Sequence, residues 1–393
     1  MKKWMWVPLA GLIGAGCFSQ GYAGSKGAND LRAYMHGIDA VKGKNGDTLV
    51  FFSSSGLPPT GPDEQRNWTH DIYVSHWNGG RLKEPEIFIQ NPEAQEPVSV
   101  AETPDGHIML TMEDGWNAPE TVSQRYGVYD SRLNGIAPYP MDVEPGGHSG
   151  HVAAVGNKFV VFYSDDWVDG GGVDNLGTGK GVYAKIYNSD GRLEREADVA
   201  PQVREWWPMV AGSPSHALLL WQQYIPGKQS ANLKMAVLDP ESGEVSATKT
   251  LVGGLKYYTY KVAYIPSVER FLITGSTLKG KGFAYLVDDE GSVTAKLSCM
   301  PATVREAGIA VSGDMAYTPS QDNRLLHLKL EPSSITLAAV QPSSISWSYT
   351  GNLGLMRDAS RAHWVSLTRE GLEETDFDLN EGSEPKASDR CGK

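Results

Sequence analysis

The stretch His151–Ser164, HVAAVGNKFVVFYS, contains a run of small apolar residues, a tight Gly-Asn turn and a run of large apolar and aromatic residues. Two runs joined in this way are typical of a β-hairpin. The same pair recurs about seven times. The small-residue runs begin at residues 37, 97, 151, 207, 260, 307 and 351, which are 60, 54, 56, 53, 47 and 44 residues apart. The large apolar runs follow at Asp47–Ser55, Gly106–Met112, Asn157–Ser164, His216–Gln222, Glu269–Gly275, Asp314–Thr318 and Ala362–Thr368.

Most of these modules contain two further runs. The third run alternates between apolar and polar residues, as in Asp71–Trp77 (DIYVSHW), and the fourth is more polar, as in Glu86–Gln90 (EIFIQ). Alternation indicates a strand with two unlike faces, and a period near fifty with several strands per period indicates a radial repeat. We therefore predict an all-β fold, a seven-bladed β-propeller with four-stranded antiparallel blades. Six or eight blades are the alternatives, because the last module has only three clear strands; residues 24–34 would supply its missing outer strand.

The connections between the runs predict where a site should lie. Those between the first and second runs, and between the third and fourth, are tight turns rich in Gly, Asn and Asp. The second-to-third connections are long in the first four modules, at residues 53–70, 113–124, 165–180 and 223–231. In a four-stranded meander these long connections share one face. Loops on a rigid scaffold carry function, so we expect a ligand in the funnel of this face.

Two of the tight turns resemble those of a known family. Pro104-Asp105-Gly106-His107 and Ser189-Asp190-Gly191-Arg192 are similar to turns of sialidase-like propeller repeats. The full Asp-box is missing, and so is the arginine triad pattern of a sialidase. The resemblance implies the repeat architecture and does not by itself imply an activity.

The amino terminus has the features of a signal peptide. Lys2 and Lys3 precede the apolar run Trp4–Ile13, and small residues around Ala23 suit cleavage. The apolar run is too short for a transmembrane span. A cut before Cys17 would instead give a lipoprotein, although Gly14 stands where such signals usually have Leu. We predict an exported protein, periplasmic or secreted, with a signal peptide at 1–23, one propeller domain at 24–379 and a disordered polar tail at 380–393.

Charge and cysteine content narrow the partners. The formal net charge is −12, from 35 basic and 47 acidic residues, which argues against nucleic acid and anionic lipid as ligands. Cleavage at Ala23 would leave two cysteines, Cys299 and Cys391. An oxidising compartment would allow them to form a disulfide, and two unrelated thiols are the alternative.

The residues just before each inner strand should meet at the mouth of the channel. Polar and aromatic side chains occupy these positions and predict a binding pocket. The alternative is that they cap strands and bind loop backbone. The candidates are His36, Glu96, His148, His151, Arg204, Glu205, Trp206, Tyr258, Tyr260, Lys261, Arg305, Glu306 and Tyr349. Trp116, in the second long connection, is a further candidate because exposed aromatic rings stack on sugar faces.

The most specific segment is Gly146–His151, GGHSGH, in which glycines surround two histidines. His148 and His151 could bind a metal or transfer a proton. A glycine-rich strand entry with two partly buried histidines is the alternative.

A second segment, residues 164–175, suits a hard cation such as calcium. Its candidate ligands are Asp165, Asp166, Asp169 and Asp174. The spacing is not that of an EF-hand, and a solvated acidic loop is the alternative.

We weigh three functions. The first is carbohydrate binding with cleavage. A polysaccharide lyase would use Arg204 or Arg305 to neutralise a uronate, and His148, His151 or Tyr258 to move the proton. A glycoside hydrolase would need two carboxylates from Glu96, Glu205 and Glu306. The second is a non-catalytic lectin-like or protein-binding module of the cell envelope, and the third a structural subunit of an envelope complex.

Overall fold

The computed structural model describes residues 35–43, 46–56, 70–115, 122–172, 175, 177–347, 350–368 and 371–390. These residues form β-strands joined by turns, with a short 3-10 turn at Ala387–Asp389. Within these ranges, none of the helical segments has the length and apolar character that crossing a bilayer requires.

The strands group into seven antiparallel sheets in chain order. Blade one is β1 (Met35–Lys42), β2 (Thr48–Ser54), β3 (Asp71–Trp77) and β4 (Glu86–Ile89); blade two is β5 (Gln95–Glu102), β6 (His107–Asp114), β7 (Ser123–Asp130) and β8 (Gly135–Pro145). Blade three is β9 (His148–Val155), β10 (Lys158–Ser164), β13 (Val182–Asn188) and β14 (Leu193–Ala200), and a ribbon of β11 (Trp167–Val168) and β12 (Thr178–Gly179) lies in its long connection. Blade four is β15 (Glu205–Gly212), β16 (Ala217–Tyr224), β17 (Ala231–Leu238) and β18 (Lys249–Leu255).

The remaining blades follow the same order. Blade five is β19 (Lys261–Ile265), β20 (Arg270–Ser276), β21 (Lys281–Val287) and β22 (Val293–Pro301); blade six is β23 (Ala310–Ser312), β24 (Met315–Pro319), β25 (Arg324–Glu331) and β26 (Ser334–Pro342); blade seven is β27 (Asn352–Asp358), β28 (Arg361–Thr368) and β29 (Gly371–Asp378). The predicted seven-bladed propeller is confirmed. Residues 24–34, predicted to complete blade seven, lie outside the described residues.

The core is divided into seven apolar clusters, one between each pair of neighbouring blades. Strand β10 shows why the second run of each module is apolar throughout. Its Val160 and Phe162 pack toward blade four, while Phe159, Val161 and Tyr163 pack toward blade two. Because a neighbouring blade covers each face, both sets of alternating side chains are buried.

The ring closes without a covalent link between blades one and seven among the described residues. Trp77 stacks on His363 with 5.9 Å between ring centroids. The Glu374 carboxylate accepts a hydrogen bond from the Leu82 backbone N–H at 2.8 Å, and the Thr350 carbonyl accepts one from the N–H of Gly37 at 2.9 Å. Apolar packing and these polar contacts therefore join the first blade to the last.

Residues 380–390 are held on blade six, although their polar composition led us to expect part of a disordered tail. Ser383 and Val340 exchange backbone hydrogen bonds, and Arg324 donates to the Asp389 carboxylate at 2.8 Å. The basic side chain on β25 gives the acidic segment a fixed partner that composition does not reveal. Cys299 is disulfide-bonded, and its expected partner, Cys391, lies outside the described residues.

We predict that Phe162→Ala lowers the free energy of unfolding by about 3–5 kcal/mol, because it leaves a cavity between two blades. Urea denaturation followed by circular dichroism measures this change. Ile87→Ala on β4 is the control, since Ile87 is 50% exposed. Equal effects of the two substitutions would contradict the packing described here.

Candidate functional site

The inner strands are irregular where they enter the channel at the loop-bearing face. In β1, β5, β9 and β15 the pairing register shifts near the start of the strand. Gly37, Ser149 and Trp207 lie at three of these shifts with positive φ, and β5 has a cis Glu96–Pro97 bond at its shift. Such bulges bend a strand and redirect its side chains. The bulges therefore determine which side chains point toward the axis.

Four side chains form a chain of alternating charge across the axis, which we call the axial charge chain: Glu96, His36, Glu306 and Arg305. The Nδ1 atom of His36 lies 3.3 Å from the Glu96 carboxylate, and its Nε2 lies 3.4 Å from that of Glu306. Arg305 Nε donates to Glu306 Oε1 at 2.8 Å. His70 approaches Glu96 from the other side, with its Nδ1 atom at 3.5 Å. These residues come from blades one, two and six.

Burial makes the charges in this chain depend on one another. Burial alone would lower the pKa of His36, but the carboxylates of Glu96 and Glu306 outweigh it and raise that pKa to about 9. Burial opposes ionisation of Glu306 as well, and His36 and Arg305 overcome it and lower its pKa to about 2. At neutral pH His36 is therefore an imidazolium between two carboxylates.

Aromatic rings support the exposed end of this chain. The Arg305 guanidinium lies 4.1 Å from the ring centroid of Tyr258 and 5.7 Å from that of Trp207. Tyr258 contacts Trp207 edge to face, with 4.6 Å between centroids. The Arg305 and Glu306 side chains are 19% and 11% exposed, and Tyr258 is partly buried. We call Arg305, Glu306, Tyr258 and Trp207 the funnel floor.

Other predicted residues lie elsewhere, in the contact between the long connection of blade three and blade four. His148 is buried, its Nε2 atom lies 2.6 Å from the carbonyl of Asp166, and burial lowers its pKa to about 4. Arg204 donates to the carbonyl of Gly170 at 2.9 Å. Glu205 accepts hydrogen bonds at 2.5 Å from Trp221 and from Gln223, and burial raises its pKa. His148 and Arg204 therefore hold the long connection in place, whereas Glu205 joins β15 to β16 within blade four.

Five further predicted site residues remain. Trp206 and Tyr260 are buried between blades four and five, where the Tyr260 hydroxyl donates to the Trp207 carbonyl. His151 lies deeper in the channel, and burial together with the nearby Lys261 ammonium lowers its pKa to about 4. Trp116 and Tyr349 lie outside the described residues.

The predicted calcium segment is only partly described. Asp166 pairs with the Lys180 ammonium at 3.0 Å, and the Asn175 side chain accepts the Gly171 N–H at 2.6 Å. Asp174 lies outside the described residues, and within the ranges that are described no three His, Cys, Asp or Glu residues gather as metal ligands. Calcium binding at Asp165, Asp166, Asp169 and Asp174 stays a prediction.

Sequence reasoning named Lys261 among the residues before the inner strands, but it left two channel residues out of the predicted site: Asp39 and His70. Asp39 is the acidic residue within β1, MHGIDAVK, and a charge inside a small apolar strand was a usable signal. His70 precedes β3 and carries no comparable signal in the sequence.

No protein-family model and no curated protein matches the chain. Among solved structures, its fold is similar to a chain of the mitotic checkpoint complex, with a TM-score of 0.53 and 10% identity over 88% of this chain and 87% of that one. It is also similar to the α-L-arabinofuranosidase Arb93A from Fusarium graminearum in complex with an iminosugar inhibitor, with a TM-score of 0.50 and 13% identity over 90% of this chain and 96% of that one. At these identities the likeness concerns the fold alone.

We predict that stability falls as pH rises from 6.5 to 9. The pKa of His36 is higher in the folded state than in the unfolded chain, so its contribution is complete below pH 6.5 and lost as pH passes 9. The expected loss is on the order of 3 kcal/mol, measured by urea unfolding across this range.

His36→Gln should flatten this part of the profile, whereas His76→Gln, which alters a histidine that is 46% exposed, should leave it unchanged. A His36→Gln profile as steep as that of the natural protein would show that the imidazolium is not bound as described.

Proposed function

We propose that this protein is exported and binds carbohydrate on the funnel floor, with a preference for acidic sugars. The observation that carries the proposal is the Arg305 guanidinium, which stacks on Tyr258 at 4.1 Å and stays partly exposed at the loop-bearing end of the channel.

The chemistry of this group suits a sugar acid. A guanidinium held flat by a ring presents a planar pair of N–H donors, which matches a carboxylate, and an adjacent aromatic face packs on the apolar side of a sugar ring. Glu306 fixes Arg305 from the other side at 2.8 Å, so little side-chain freedom is lost when a ligand binds. The two cations of the axial charge chain, His36 and Arg305, balance its two carboxylates, so the chain adds no net negative charge beside the ligand.

The similarity to an arabinofuranosidase makes sugars the first ligand class to test. It concerns the fold, so the proposal depends on the side chains of this chain and not on that enzyme's activity.

Hydrolysis is less well supported than binding. It requires two carboxylates on either side of the scissile bond. Glu306 is partly exposed, but the Glu96 side chain is 0% exposed, and Glu205 is committed to Trp221 and Gln223. Among the residues considered, only Glu306 would reach a substrate.

Uronate lyase chemistry is the second candidate, because Arg305 and Tyr258 are adjacent. Arg305 would neutralise the uronate carboxylate. The Tyr258 hydroxyl would relay the proton from C5 to the departing glycosidic oxygen as the C4–O bond breaks. The products would be a new reducing end and a C4–C5 double bond that absorbs in the near ultraviolet.

We predict that Arg305→Lys weakens binding of polygalacturonate about tenfold or more, because it keeps the charge and removes the planar donor pair. Titration calorimetry with the mature chain measures this change, and dextran serves as the neutral polymer. Tyr264→Phe, which alters a tyrosine of β19 in blade five, is the control and should bind as the natural protein does.

Unchanged affinity in Arg305→Lys, or binding of neither polymer, would contradict the proposed site. An ultraviolet signal that is lost in Tyr258→Phe while binding persists would identify a lyase. Binding without any signal would favour the lectin-like module. A protein-binding role in the cell envelope would be favoured if no glycan binds.

A further inference from the structure

The channel contains a second space, on the tight-turn side of the funnel floor. Its volume is about 370 Å³, room for roughly twelve water molecules at about 30 Å³ each. A neck of about 30 Å³ beside Trp207 and Glu306 lies between it and the funnel floor. The lining extends to Glu102 and Gly212, at the ends of their inner strands, so the cavity reaches toward the tight-turn face.

Lys261 is the basic side chain that lines this cavity. Within the described part of the chain, its ammonium makes no hydrogen bond or ion pair with the protein. It interacts with Asp39 and His151 only through the longer-range charge effects on their pKa values. An ammonium that lines a cavity without a protein partner is available to an anion.

Two carboxyl groups, Asp39 and Glu102, also line the cavity; burial raises the pKa of each, and both accept hydrogen bonds from backbone N–H groups. Asp39 accepts hydrogen bonds from the backbone N–H groups of Ala40 at 2.9 Å and of Val100 at 3.0 Å. Glu102 accepts one from the backbone of Lys42. His151 donates from Nδ1 to the Ser149 carbonyl at 3.1 Å, and it is neutral at pH 7 because its pKa is about 4.

The inner strands supply the remaining polar lining. Each inner strand pairs on one side only, with the second strand of its own blade. Its other edge therefore presents backbone N–H and C=O groups toward the axis, of which the N–H groups of Val100 and Val152 already donate to Asp39 and Ser99. Small side chains such as Ala40 and Ala153 leave the space between these edges open.

We propose that this cavity is a second ligand site, which binds a small oxyanion of carboxylate or phosphate chemistry, no larger than a monosaccharide, with its charged group on the Lys261 ammonium. The backbone edges would bind its hydroxyl groups. The site is distinct from the funnel floor and does not depend on the function proposed for it.

Calorimetry with the mature chain tests this proposal, using inorganic phosphate and D-glucuronate as probes and D-glucose as the neutral control. At least one anion should bind, and Lys261→Met should weaken it at least tenfold. Lys279→Met, which alters an exposed lysine of the same blade, should have no effect. The anion that binds with the higher affinity shows whether the site prefers phosphate or a sugar carboxylate. Arg305→Lys should leave this binding intact, which separates the result from that of the proposed function.

A second measurement uses the natural protein and does not depend on how the variant folds. The bound anion should protect Lys261, but not Lys279, from an amine-acetylating reagent, as followed by mass spectrometry. Binding of neither anion, equal binding by Lys261→Met, or acetylation of Lys261 at the same rate with and without the anion would each overturn the proposal and leave a channel that holds water only.

Discussion

The rest of this structure depends on one constraint: buried polar side chains accept hydrogen bonds from backbone N–H groups of neighbouring inner strands. The Ser53 hydroxyl accepts the Val98 N–H at 3.1 Å, and the Gln124 amide oxygen accepts the Gly150 N–H at 2.8 Å. The axial ends of these strands are buried, where an unmatched N–H would be costly. Apolar packing holds neighbouring blades together but is not directional. These directional contacts fix the level at which each inner strand meets the next.

That fixed level is what allows charges from distant parts of the chain to meet. The Gln222 amide oxygen accepts the N–H of Tyr258 at 3.0 Å, and the Asn352 side chain accepts that of Gly308 at 2.9 Å. Both contacts lie beside the funnel floor and set the height of Tyr258 and Glu306 relative to His36. A carboxylate and an imidazolium at 3.4 Å in a buried site tolerate little displacement, since each compensates for the burial of the other.

The sequence predicts the blades well and the axis only in part. Runs such as Phe159–Tyr163 are apolar without interruption because two blades cover them, and this property can be read without knowing the fold. Convergence of His36, Glu96, Arg305 and Glu306 could also be expected from their place before the inner strands. The direction of each side chain could not, because a one-residue bulge at Ser149 or Trp207 changes which neighbour faces the axis.

Contacts between residues distant in sequence explain the other differences between the predictions and the structure. His148 lies at the start of an inner strand as His36 does, yet its ring contacts the carbonyl of Asp166, in a loop whose path the sequence does not specify. Residues 380–390 looked like a free tail because their partner, Arg324, lies about sixty residues away in sequence on blade six.

The contact between His36 and Glu306 joins residues separated by 270 positions, and the blade that carries His36 packs against blade seven, the last of the seven in chain order. During translation, blade one therefore lacks one of its two packing partners until blade seven has been made. A polypeptide that stopped short of the seventh blade would contain both members of this pair and still lack the closed circle that presses them together. The axial charge chain therefore depends on blade seven, although none of its four members belongs to that blade.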